Sequence, residues 1–111
     1  DTNPAANAFA EGFKAWLKED SARLTDNSNS EEISAVTACG YDAYMAIYYA
    51  LDKAQSTDGA TLRDALAALD VPGLVTGDLK FDENGDAIKS YAIIKTATTE
   101  GFVFADSVAI E

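Results

Sequence analysis

The acidic run Asp82-Glu83-Asn84-Gly85-Asp86 places Asp, Asn and Asp at alternate positions, as the first three ligands of a calcium-binding EF-hand loop are placed. The rest of such a loop is missing. Gly85 stands fourth rather than sixth, and Ile93 occupies the twelfth place, where a bidentate Glu is required, so the run reads as a solvated turn and no metal is expected. Paired carboxylates for acid/base work would have to come from Asp42 and Asp52, or from Asp64 and Asp70, and nothing but charge recommends either pair. Asp42 stands out because an acid among apolar neighbours is seldom buried without a partner; it reads as an acceptor for a backbone or tyrosine hydrogen bond. The chain has no histidine, so neither a Ser-His-Asp triad nor the commonest metal ligand can be written. No G-x-x-x-x-G-K-[ST] or G-x-G-x-x-G phosphate loop occurs. The catalytic set is therefore empty, and an enzyme is not expected. Of five tyrosines, Tyr41, Tyr44 and Tyr48 fall at i+3 and i+4 spacing, a helical stripe that reads as core or as one wall of a binding site.

Several elements must carry these residues. Asn3-Pro4 is a helix start, a capping side chain followed by a proline whose missing N–H costs nothing in the first turn. Phe9, Phe13, Trp16 and Leu17 then form one apolar stripe on a helix ending near Glu19, with Trp16 expected in the core rather than stacked on a ligand. From Thr25 to Glu32 the chain is polar and reads as a loop. A second helix is expected to open between Glu31 and Ser34 and run to about Ala54. Its residues, among them Val36, Tyr41, Tyr44, Met45, Ile47, Tyr48 and Leu51, leave almost no polar face, and Cys39 reads as one of its small buried hydrophobes. Leaving five such side chains in water at roughly 1.5 to 3 kcal/mol each would offset a domain's whole stability of about 5 to 15 kcal/mol. Something beyond this chain's few other elements is expected to cover that helix, self-association or exchange of elements between copies included. Asp58 caps a third, short helix bearing Leu62, Leu66 and Leu69, and Pro72-Gly73 is a connector. The alternating run around Leu79 and Phe81, the Asn84-Gly85 turn and the run Ala87 to Thr96 predict a hairpin whose second strand is the more buried. Thr98-Thr99-Glu100-Gly101 is a further turn, and Phe102 to Val108 a last strand with Phe102 and Phe104 on one face. Helices first and strands last is an α+β order: three helices, then a C-terminal hairpin and a last strand.

Composition bounds the partners. The 111 residues suit one domain, with 48% hydrophobic content, and 19 acidic against 8 basic residues give a net charge of −11. That charge repels phosphate backbones, which excludes nucleic acid, and anionic membrane surfaces. No apolar run of membrane-spanning length is present, and a single cysteine forms no intrachain disulfide.

The order Val75-Thr76-Gly77, a short strand, then Phe81-Asp82-Glu83-Asn84-Gly85-Asp86 and an aliphatic strand resembles the C-terminal end of the periplasmic branched-chain amino acid binding proteins, the solute receptors of one class of ABC importer. Gly40-Tyr41-Asp42-Ala43 is similar to a helix motif of that family. Ser56-Thr57-Asp58-Gly59 with Leu62-Arg63-Asp64-Ala65-Leu66 is similar to its next helix. The resemblance runs from about Asn3 to Phe104 and implies a fragment of a two-lobed α/β receptor of the type I periplasmic binding fold. Residues 1–32 would belong to the second lobe, 33–73 to the first, and 74–111 to the hinge and C-terminal strands. It further implies an extracytoplasmic protein, in the periplasm or held at the cell surface as a lipoprotein, that binds an amino acid for uptake, docks on an ABC permease and carries no cofactor. A sensory or regulatory receptor of the same fold is the alternative. Ligand contacts carried over from the family fall at Val36 and Thr37, with Tyr41 of the tyrosine stripe added; free N–H groups at that helix start would suit a carboxylate, while Val36 reads equally as plain core. The polar stretch Thr25 to Glu32 departs from the shorter, proline-bearing approach of the relatives.

Overall fold

The computed structural model describes residues 3–99 and 101–110. Helix α1, Pro4–Lys18, starts at Asn3, whose carboxamide oxygen accepts the N–H of Ala5 at 3.0 Å. Its amide donates to the Leu74 carbonyl at 2.7 Å, so one side chain both caps the helix and ties it to a strand far along the chain. The apolar stripe forms as expected along part of its length: Leu17 is buried, and the Phe9 and Phe13 rings lie 5.9 Å apart. Trp16, expected in the core, is 46% exposed. The Arg23 guanidinium covers one face of its indole at 4.6 Å, and this comes from a short helix, α2, Ser21–Asp26, where only fading periodicity was legible. Asp20 starts α2 by accepting the N–H of Ala22. Ser28 and Asn29 end it in the left-handed region, after which the expected polar loop leads to Ser34.

Helix α3, Ala35–Ala54, has the expected bounds, but its burial is one-sided. Asp42, Ala46 and Ala50, at i, i+4 and i+8, are buried, while Val36, Tyr44, Ile47, Tyr48 and Leu51 are exposed. Cys39, expected to be buried, is exposed too. The small alanines let α3 approach helix α4, Gly59–Ala67, which Asp58 caps through the Thr61 N–H at 3.0 Å. Ala46, Ala50, Ala65, Leu69, Leu74 and Leu79 make the core, with Met45, Tyr49, Leu62, Leu66 and Phe81 around them.

Strand β1, Asp70–Leu74, runs through the expected connector and pairs antiparallel with β2, Gly77–Lys80. Its register is irregular between Val71 and Leu74, where Pro72 has no N–H to give and Gly73 takes a φ of 68°. The turn at Asn84-Gly85 forms, with Gly85 at φ 86° and the Asp82 N–H donating to the Asp86 carbonyl at 2.9 Å. The long hairpin predicted around it does not. Pairing past the turn stops at the Phe81–Ala87 bridge and the Ile88 N–H to the Lys80 carbonyl. The second run instead becomes β3, Tyr91–Thr98, and pairs antiparallel with β4, Gly101–Ala109. Glu100 of the expected turn between them lies outside the described residues. The run expected to be the more buried is exposed at Ile93 and Ile94, and so is the last strand at Phe102, Phe104 and Val108, because the β3–β4 ribbon has no extensive packing on the helices or the β1–β2 pair. The radius of gyration, 16.4 Å, exceeds the ~13 Å of a close-packed chain of this length.

Candidate functional site

The start of α3 is built by Ser34. Its hydroxyl oxygen accepts the Thr37 N–H at 3.1 Å and lies 3.0 Å from the Thr37 hydroxyl, and its carbonyl receives the Ala38 N–H. Among the described residues the N–H groups of Ala35 and Val36 are left without partners, as first-turn donors are in any helix. No acid stands in that first turn, so the positive end of the helix dipole is not neutralised from within. Val36 is 79% exposed and Thr37 half-buried. Tyr41, one turn on from Thr37 and on the same side, sets its ring 4.9 Å from that of Phe9 and so brings α1 against α3. The three sequence candidates thus lie together at one end of one helix.

That end is open. Two depressions of about 240 Å³ each lie elsewhere among the described residues, and neither touches Val36, Thr37 or Tyr41. One is lined by Arg63, Leu66, Phe81 and Gly85, the other by Phe13, Trp16, Arg23 and Asp26. Both fall below the roughly 300 to 1,000 Å³ of sites that enclose a small ligand.

On the inward side of the same helix, Asp42 is buried and fully engaged. Its carboxylate accepts the Val75 N–H at 3.1 Å, the Thr76 N–H at 2.7 Å and the Thr76 hydroxyl at 2.6 Å, so the turn between β1 and β2 hangs from the middle of α3. Lys89 donates in turn to the Thr76 hydroxyl at 2.7 Å. An acid in apolar surroundings pointed to the Asp42 bonds; Thr76 and the lysine after the acidic run stood in the motif that carries the resemblance, but nothing in the sequence pointed to their bonds with Asp42 and each other.

The remaining acids are spread out. Asp52 lies ten residues along the helix from Asp42, a rise of about 15 Å, while Asp64 pairs with Arg63 and Asp70 with Lys80. Asp82 spends its Oδ1 on the N–H groups of Asn84 and Asp86, and the Asp86 bond foremost holds its carboxyl below the ordinary aspartate range despite some desolvation. Among the described residues no group of three His, Cys, Asp or Glu could hold a metal ion, and no helix is long and apolar enough to cross a membrane.

Comparison with curated proteins and with solved structures finds no match. The family model described as the receptor family ligand binding region matches residues 2–99, which takes in all four helices and the β1–β2 pair. With that span matched, and with helices preceding antiparallel strands as a piece of the type I periplasmic binding fold would have them, the chain belongs to the family of receptor ligand-binding regions.

Proposed function

We propose that the chain is part of an extracytoplasmic solute-binding protein of an ABC importer and helps hold an amino acid, branched-chain or of similar small size, for uptake. The observation that carries the reading is the family match, since the family takes in amino-acid-binding periplasmic proteins. The start of α3 supports it: two unpartnered N–H groups suit the carboxylate of an amino acid, and the exposed Val36 suits an aliphatic side chain. Tyr41 would stiffen this wall through Phe9. Because the wall lies open, the opposing surface would come from further parts of a two-lobed receptor, closing over the ligand by contacts that exist only in the closed form. In this reading residues 1–32 sit with the second lobe, 33–73 with the first and 74–111 with the hinge, and the chain acts by binding rather than catalysis.

Titration calorimetry of the full-length receptor against the natural amino acids tests it. An aliphatic amino acid is expected to bind, and Val36→Asp, which sets an anion beside the ligand carboxylate, to weaken it at least about tenfold, or ~1.4 kcal/mol. No heat with any amino acid would remove the reading. The same family includes ligand-binding domains of receptors, so a sensory role is the second reading. Binding of the liganded protein to a permease favours transport; failure to bind one, with ligand binding intact, favours signalling.

A further inference from the structure

The chain makes a single passage from the core to the β3–β4 ribbon, along residues 82–90, and beyond the Tyr91 ring on Gly77 the ribbon has no extensive packing on the helices or the β1–β2 pair. Backbone pairing holds the passage as far as the Ile88 N–H to the Lys80 carbonyl; beyond it, the side-chain tie at its exit is made on Thr76. Its hydroxyl donates to the buried Asp42 carboxylate at 2.6 Å and accepts from the Lys89 ammonium at 2.7 Å, while its carbonyl takes a longer bond from the same ammonium at 3.4 Å. One hydroxyl thus stands between opposite charges, donating to the anion and accepting from the cation, and each bond polarises the other. Both charged residues are more than ten positions from Thr76 in sequence, and both side chains are shielded, Asp42 buried and Lys89 half-buried. Beside them the Tyr91 ring lies on Gly77; a Cβ there would meet the ring at an ordinary contact of 3.7 Å, so it is the φ of 98° that calls for glycine.

We propose that the Asp42–Thr76–Lys89 chain is a latch that sets the angle at which the β3–β4 ribbon leaves the helical unit, with Thr76 as its pivot and Lys89 as the releasable arm. Asp42 keeps the β1–β2 turn on α3 whatever Lys89 does, because it holds that turn by two backbone N–H groups as well. Losing Lys89 frees the passage without unfolding the core. The latch needs no ligand, and it stands or falls separately from the amino acid reading.

Spin labels report the angle. Cys39 is the sole thiol, lies exposed on α3 and takes one label; Ser107→Cys on β4 takes the other. In the 111-residue chain the pair is expected to give one narrow distance peak. Lys89→Met, which keeps length and removes the donor, is expected to lose that peak to a broad distribution at unchanged helicity, and Thr76→Val, which keeps shape and removes the hydroxyl, to do the same. Thr76→Ser, which restores the hydroxyl, is expected to keep the narrow peak. A narrow peak at the original distance in Lys89→Met overturns the latch, and so does a Thr76→Ser distribution as broad as that of Lys89→Met. If Thr76→Val fails to fold, Lys89→Met and Thr76→Ser decide alone, since both keep a hydroxyl at position 76 for the buried Asp42.

Discussion

Asp58 and Asp82 are exposed acids made useful by the backbone beside them. The Thr61 N–H, then the Thr61 hydroxyl, hold the Asp58 carboxyl below its ordinary value of 3.8, as the Asp86 N–H holds Asp82, each against a smaller opposing desolvation. A folded-state pKa below the unfolded one gives stability that is present above 3.8 and is lost as pH falls through the lower folded value. Asp58→Asn keeps an oxygen at the cap and removes the titration. We expect the melting midpoint of the wild-type chain, followed by circular dichroism, to lose its advantage over Asp58→Asn as pH falls from above 3.8 through the lower folded value. A gap that stays constant across that range would mean the cap is not read by charge. The capping roles of Asn3 and Asp58 were legible in the sequence because a cap is a local event, complete within three or four residues. Trp16 and Cys39 were misread because periodicity tells which side of a helix is apolar and is silent on what lies against it. Arg23 covers Trp16 from a helix that six residues were too few to announce. Asp42 read as an acceptor from its neighbours alone, yet its donors stand 33 and 34 residues away, a distance no spacing rule spans.

At the level of elements, α3 decides most. Its buried residues are small apart from Asp42, and most of its large ones, Met45 and Tyr49 excepted, face outward, the reverse of an ordinary amphipathic helix in a self-contained domain. The expectation of a helix apolar on every side was sound, since one side is closed by α4 and the strands while Tyr44, Ile47, Tyr48 and Leu51 remain open. The two sides should therefore answer oppositely to substitution. Ala50→Leu forces three heavy atoms into a contact with no room and should cost about 1–3 kcal/mol, whereas Tyr44→Lys should stay within about 0.5 kcal/mol; urea unfolding of each measures both. A large loss for Tyr44→Lys would show its ring to be covered in solution. The strand errors have a common origin. Alternation marked β2 and apolar residues on both faces marked β3 as strands, and Asn84-Gly85 marked the turn between them, but no such signal names a partner. β2 found its partner in β1, whose Pro72 and Gly73 read as a break and are accommodated where the register slips. β3, left without β2, turned to β4.

The whole molecule carries a large negative charge and a large apolar surface, two properties that oppose each other in association. The open side of α3 and both faces of the ribbon, Phe102 and Phe104 on one and Val103 and Val108 on the other, ask for cover. A net charge of −11 per chain resists supplying it from a second copy. Salt weakens that resistance, with a Debye length falling from about 30 Å at 0.01 M to about 10 Å at 0.1 M, and leaves the apolar attraction in place. Light scattering on the chain by itself is therefore expected to give a mass above 11.7 kDa that grows with ionic strength. A well-folded monomer at every salt concentration would count against association. The ribbon has one more consequence, in time rather than in space. All its ladder bonds close between residues fewer than twenty apart, and it meets the rest of the chain only lightly, as where the Tyr91 ring lies on Gly77. Its zipping thus adds little to the barrier that the helices cross, and the ribbon can form at its own pace, before or after the remainder has collapsed.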